Sequence, residues 1–203
     1  MHDRESHACP GRRNRVLPSA RTGTFVSQAP TTLQPGDHSI PALDGRATLT
    51  RSAVPADRTA VSAVHARCGA ESRHRRHQTA RQRSTRSEWR SLTSQDRGLT
   101  WVTRPADAPD FVIAATHLLR TPVARTGELA ILVEDAWQRV GLGTKLMRRP
   151  LGEAHRLGMA SVHELTDRDN HRVLSLCRSL SACVRDAQGG AVDLTLPVSE
   201  DVS

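Results

Sequence analysis

Residues Gln138 to Gly143 read Gln-Arg-Val-Gly-Leu-Gly and follow directly on the apolar run Leu129 to Val133. A buried strand that breaks into a glycine-bearing turn and then a helix aims unpaired backbone N–H groups at one point, with the helix dipole behind them. Such a turn is an anion cradle suited to a diphosphate. No Lys-Ser/Thr pair closes it as in a P-loop, and its glycine spacing is not G-x-G-x-x-G, so neither common nucleotide turn is indicated. The chemistry expected here is therefore that of a different phosphate carrier.

The elements needed to present that turn can be read on both sides of it. Downstream, Leu142, Leu146, Met147, Leu151, Ala154 and Leu157 recur mostly at three- and four-residue steps, an amphipathic helix that Gly158 ends. Pro150 falls inside it, removes the backbone bond to Leu146 and predicts a kink. Upstream, Leu99 to Arg104 and Phe111 to Leu119 flank a Pro-Asp-rich spacer as a hairpin does, and Glu128 to Val133 is the most apolar strand. Beyond Gly158, Ala160 to Leu165 reads as a strand and Asp167 or Asp169 as the cap of a helix through Leu180. Ala182 to Arg185 and Val192 to Leu196 read as a hairpin turning at Gln188, Gly189 and Gly190.

Composition divides the chain. Met1 to Gly98 carries 17 arginines and 8 acidic residues, and Leu, Ile, Val and Phe make up 12 of its 98 residues; Leu99 to Ser203 carries 12 basic and 13 acidic residues, with 29 such apolar residues in 105. The first part lies below the roughly 20% that a charged chain needs to bury a core. The expectation is a basic, low-complexity, disordered extension over residues 1–98, one folded domain over 99–197 and a tail over 198–203. One lysine stands beside 28 arginines, the bias of GC-rich coding DNA, which adds the reading that part of the extension is an out-of-frame stretch. The segment Arg67 to Arg97 has Trp89 as its one aromatic residue, so a solvated tail suits it better than a nucleic-acid-binding one, which stays as an alternative. Cys9, Cys68, Cys177 and Cys183 fit no C-x-x-C pattern, and Cys68 with His74 and His77 lacks a fourth ligand, so free thiols and no metal are expected. No apolar run suits a signal peptide or a membrane span, which by default places the chain in the cytoplasm and off membranes.

The order strand, Gln-Arg-x-Gly-x-Gly turn, helix, strand, Asn-headed helix and hairpin is carried by Glu128 to Val133, Trp137 to Thr144, Asn170 to Leu180 and Val192 to Pro197. Over about residues 99–197 it resembles the GNAT superfamily of N-acetyltransferases. The phrase Glu128 to Gly143 is also similar to GNAT domains attached to bacterial acyl-CoA-synthetase-like protein acetyltransferases. The resemblance implies an α/β (α+β) fold with a mixed, mostly antiparallel sheet flanked by helices. It implies acetyl-CoA as co-substrate, with the turn that begins at Gln138 holding the diphosphate on the amides of Arg139, Val140, Gly141, Leu142, Gly143 and Thr144. The pantetheine arm would pair with the backbone of Ile131, Leu132 and Val133.

By the same resemblance the Val133 N–H is the oxyanion donor and Glu128 the general base, directly or through water. Asn170 contacts the pantetheine arm, its rival role being a helix cap. Transfer is direct, to a primary amine of a small molecule or a protein lysine, without an acyl-enzyme. Glu134 and Asp135 read as surface charges. Seven residues after the asparagine many relatives carry a tyrosine that protonates the leaving thiolate; this chain has Cys177 there, and no tyrosine at all. The thiol is either that acid or core packing. The strand and two helices that open the family's domain have no legible counterpart before Leu99. That gap makes a catalytically degenerate acyl-CoA-binding module the second reading, and leaves an apolar face whose exposure would favour a homodimer.

Overall fold

Short runs of β-branched and apolar residues, parted by Gly-, Pro- and Asp-bearing turns, build one eight-stranded sheet. The computed structural model describes residues 37–72, 85–186 and 190–198, which lie in one compact unit spanning residues 31–203. The strands are β1 (His38–Ser39), β2 (Thr48–Ser52), β3 (Gly98–Pro105), β4 (Ala114–Arg120), β5 (Thr126–Val133), β6 (Ser161–Asp167), β7 (Cys183–Asp186) and β8 (Ala191–Pro197). Helices α1 (Arg58–Arg67) and α2 (Arg86–Leu92) precede β3, α3 (Leu142–Arg156) joins β5 to β6, and α4 (His171–Ser179) joins β6 to β7. The spatial order is β1-β2-β3-β4-β5-β6-β8-β7. Neighbours run antiparallel except β5 and β6, which are parallel and meet at only three register pairs, Thr126–Ser161, Gly127–Val162 and Glu128–His163.

The expectation that residues 1–98 form a disordered extension is corrected wherever those residues are described. Residues 38–67 and 86–92 supply β1, β2, α1 and α2, the counterpart that the composition hid. Threonine does the work of aliphatic residues there: Thr48 and Thr50 are fully buried in β2, and the Thr50 hydroxyl bonds that of Thr103 at 2.8 Å. Helix α1 packs Val61, Val64 and Cys68 at helical spacing against Trp89 of α2 and against Val102, Ala115 and Leu132 of the sheet. The Trp89 indole N–H donates to the Val54 carbonyl at 3.2 Å, so its one polar atom is satisfied in burial. Helix α2 begins with a capping box: Thr85 Oγ1 accepts from the Glu88 amide and Glu88 Oε2 from the Thr85 amide. The apolar face that was to stay exposed is thus covered, and the reason for expecting a homodimer falls with it. Residues 1–36 and 73–84, including Cys9, His74 and His77, lie outside the described residues, as does the turn Gln188–Gly189.

The opposite face carries the larger core. Leu129, Met147, Leu151, Ala154, Val162, Leu174, Cys177, Leu194 and Leu196 pack between α3, α4 and the sheet. Helix α3 runs uninterrupted through Pro150, which is buried. It stops where expected: Gly158 has φ +72°, its amide bonds the His155 carbonyl, and the Met159 amide reaches back to Ala154. This reciprocal pair satisfies carbonyls that the helix end would leave open. Neither Asp167 nor Asp169 caps α4; Asn170 holds the N-cap position, without a side-chain bond to the helix.

Candidate functional site

The three-pair seam between β5 and β6 governs the site. Past Glu128 and His163 the two strands diverge, and a groove of about 940 Å³ opens between them and runs to the turn after β5. The Glu134 amide donates to Ile113 at 2.9 Å, which fixes the alternation of the β4–β5 ladder. Residues 128, 130 and 132 of β5 then turn their backbone groups to β4, and Leu129, Ile131 and Val133 turn theirs toward β6. Ile131 and Val133 thus present backbone to the groove. Leu132 does not: its backbone pairs with Ala115, and its side chain is buried beside Trp89. The Val133 carbonyl is already taken by Gln138 Nε2 at 2.9 Å, which leaves that residue's N–H as the group facing the opening.

The turn itself has the form of a cradle. Arg139 and Gly141 both lie in the left-handed region, at φ +66° and +72°, and Gly141 is the N-cap of α3 with no side-chain cap. Among the described residues no acceptor is recorded for the amides of Arg139, Gly141, Leu142, Gly143 or Thr144, whereas that of Val140 closes the turn over Gln138 and Arg139. The side chains of Val140 and Leu142 face inward, to a cluster with Ile113 and Trp137, so these two residues contribute backbone alone. A Cβ at Gly143 would meet nothing within 4 Å, and the residue lines the groove, so open space lies beside the helix N-terminus.

A strap that the sequence did not reveal holds this turn. The loop between β1 and β2 lies over it, with the Leu43 amide donating to the Val140 carbonyl at 2.8 Å. That bond points the Gly141 N–H, on the same peptide plane, the other way. The Leu43 side chain packs on Gly141, where an added Cβ would fall 2.6 Å from it. Arg46 stacks 3.7 Å over the Trp137 ring and donates to the Ala136 carbonyl, and Lys145 Nζ reaches the Pro41 carbonyl. Glu134 is corrected from a surface charge to part of a second clamp, which Asp135, exposed as expected, completes. Glu134 is buried and paired with Arg67 at 2.8 Å, and Asp135 Oδ2 accepts from the Gly69 amide at 2.7 Å, so both tie the end of α1 to the turn.

Glu128 lies at the apex of the groove with its side chain exposed. Asn170 lines the far wall, its Nδ2 donating to Thr166 Oγ1 at 2.9 Å, so the side chain is oriented by β6 and serves no cap. Cys177 is elsewhere. It is fully buried among α3, α4 and the sheet, Sγ 4.0 Å from Met147 Sδ, and it does not line the groove. Burial, with a contribution from the Glu164 carboxylate, pushes its thiol up to about 12. A group that weakly acidic and that enclosed is packing, and its assignment as the proton donor is withdrawn. Among the described residues no group of three or more His, Cys, Asp or Glu is placed to hold a metal, and no helix is long and apolar enough to cross a membrane.

No profile of a known protein family matches the chain, and no curated protein matches it. Solved structures do. The GNAT domain of a PAT protein from S. lividans superposes with a TM-score of 0.68 at 16% identity, over 82% of this chain and 99% of that one. The ribosomal-protein-S18-alanine N-acetyltransferase of Escherichia coli matches with a TM-score of 0.57 at 19% identity, over 75% and 94%. A putative acetyltransferase from Salmonella typhimurium, solved with its cofactor acetyl-CoA, matches with a TM-score of 0.58 at 20% identity, over 77% and 96%. At such identities the likeness is one of fold, a mixed sheet with flanking helices.

Proposed function

We propose that this chain, which has the GNAT acetyltransferase fold, binds acetyl-CoA in the β5–β6 groove and transfers its acetyl group to a primary amine. The observation that carries the reading is the joining of two features at one place: a strand pair that parts after three rungs, and a turn with open amides at the N-terminus of the following helix where the opening ends. The turn suits a diphosphate, and the free backbone of Ile131 and Val133 suits the amides of a pantetheine arm. The Val133 N–H, fixed by the Gln138 contact to its own carbonyl, would meet negative charge developing on a thioester oxygen. Glu128, at the apex and open to solvent, would take up a proton from the incoming ammonium, directly or through water. The acceptor is a small-molecule amine or a protein lysine.

A degenerate module that binds acyl-CoA without turnover is the second reading, favoured by one observation: the chain has no tyrosine, and Cys177 is sealed in the core. Titration calorimetry with acetyl-CoA tests the shared part, and binding in the micromolar range is expected. Thiol release with a panel of amines then separates the readings. Absence of heat with acetyl-CoA at millimolar concentration would refute both.

A further inference from the structure

The face of the sheet opposite α3 and α4 carries a row of polar residues that the cofactor reading does not use. On β6, Val162, Glu164 and Thr166 are buried on the core side, so His163 and Leu165 point to the other face. On β5, Leu129 belongs to that same core, which puts Glu128 on the face of His163; the two are register partners at the last rung before the groove opens. On β8, Val192, Leu194 and Leu196 are core, and Asp193 and Thr195 lie beside His163. His163 Nδ1 is 3.3 Å from Thr195 Oγ1 and 3.5 Å from Asp193 Oδ1. Helices α1 and α2 cover β3, β4 and β5 on this face; among the described residues no helix covers β6 and β8 there.

We propose that His163, oriented through Nδ1 by Asp193 and Thr195, is the proton acceptor that works with Glu128 to deprotonate the amine substrate. The inference rests on the acetyltransferase reading above and deepens it. With the Nδ1 proton committed to its two oxygen partners, Nε2 carries the lone pair. On the same rung of the neighbouring strand, Glu128 supplies negative charge that attracts an ammonium and stabilises the imidazolium once formed. In the reaction the ammonium gives one proton to His163, directly or through Glu128 and water. The neutral amine then forms the C–N bond as the thioester C–S bond breaks. A second amine proton leaves with the thiol, the third stays on the amide, and the imidazolium, with its side chain 39% exposed, returns its proton to solvent. The charged groups around the ring are Glu128 from β5, Asp193 from β8 and, paired across from Asp193 on β7, Arg185.

Two experiments on the full chain test this. The first needs no turnover: the tautomer of the His163 ring is read from its nitrogen chemical shifts by NMR in the wild type and in Asp193→Asn. The neutral wild-type ring is expected to carry its proton on Nδ1, and the variant to lose that preference. A neutral wild-type ring with its proton on Nε2 would overturn the proposal. The second compares n-butylamine, charged at the assay pH, with trifluoroethylamine, already neutral. His163→Gln should slow the first by about 100-fold and abolish the acid limb of its kcat/KM profile, with little effect on the second and none on acetyl-CoA affinity. Equal loss with both amines, or an unchanged acid limb, would count against it. So would wild-type inactivity toward both amines while acetyl-CoA still binds. Failure of acetyl-CoA to bind at all would instead sink the reading on which the proposal rests.

Discussion

Gly143 offers the cleanest test of the cradle. Gly141 is the more obvious target, but it sits at φ +72° with Leu43 pressed against it, so any side chain there strains the backbone and displaces the strap before a ligand arrives. Gly143 has neither problem: its φ is not left-handed and a Cβ meets only open space. An aspartate in the first turn of α3 faces the positive end of the helix dipole and should leave stability unchanged or raise it by about 0.3–1 kcal/mol. Against a ligand the same charge is costly. A carboxylate ~6 Å from a doubly charged diphosphate at an effective dielectric near 20 is repelled by roughly 5 kcal/mol, and by about 3 after ionic screening. Gly143→Asp should therefore weaken acetyl-CoA binding by about 100-fold, and Gly143→Asn, of equal size without the charge, by under about 10-fold. Calorimetry at low and high salt, paired with thermal melts, reads both terms, and the penalty of Asp over Asn should shrink as salt rises. Equal affinities for the two variants would show that no phosphate lies at this helix end.

Other expectations follow from the packing. Arg46→Ala removes the stack on Trp137 and should weaken acetyl-CoA binding by about 3–10-fold, through the lost cation–π contact and the hydrogen bonds to the Ala136 carbonyl and Asp44, while the melting temperature barely moves. Trp89→Ala should cost about 3–5 kcal/mol in urea denaturation, a loss impossible if the residues before Leu99 were a tail. Cys177 titrates higher folded than unfolded, because burial disfavours its thiolate. Its contribution is intact below the ordinary thiol range and is lost as pH climbs from about 9 toward 12, so Cys177→Ala should flatten the alkaline fall in stability. The same substitution should leave the pH–rate profile of turnover unaltered, since a sealed thiol takes no part in it.

Where apolar periodicity was strong, the fold was readable in advance. Helix α3 shows it from Leu142 to Leu157, the alternating β6 and β8 show it again, and the glycines at 141 and 143 marked the cradle between them. Residues 37–98 were misread because their burial is achieved by other means. Thr48, Thr50 and Trp89 fill positions where Leu or Ile were being counted, and α1 buries only Val61 and Val64, with Cys68 at its C-cap, in a stretch otherwise rich in Arg and Ala. Two signals were there to be found: the Thr85-x-x-Glu88 capping box and the helical spacing of Val61, Val64 and Cys68. Glu134 was misplaced for a different reason. Its partner, Arg67, lies 67 residues away in sequence, and no local pattern announces such a contact; the same holds for the bond from the Gly69 amide to Asp135. Leu132 failed by one step of strand parity, which only the register can supply.

The loop over the cradle makes the early part of the chain a party to ligand affinity. Because Leu43 and Arg46 hold the peptide groups around Val140, occupancy of the turn and docking of the loop are thermodynamically linked, and each must favour the other by the same free energy. Ligand should shield the loop from proteases, and a nick near Asp44 should cost affinity at a place almost a hundred residues distant in sequence. A shortened form lacking the first two strands would retain every glycine of the motif and still bind poorly, since the motif supplies amides whose direction is set by another segment.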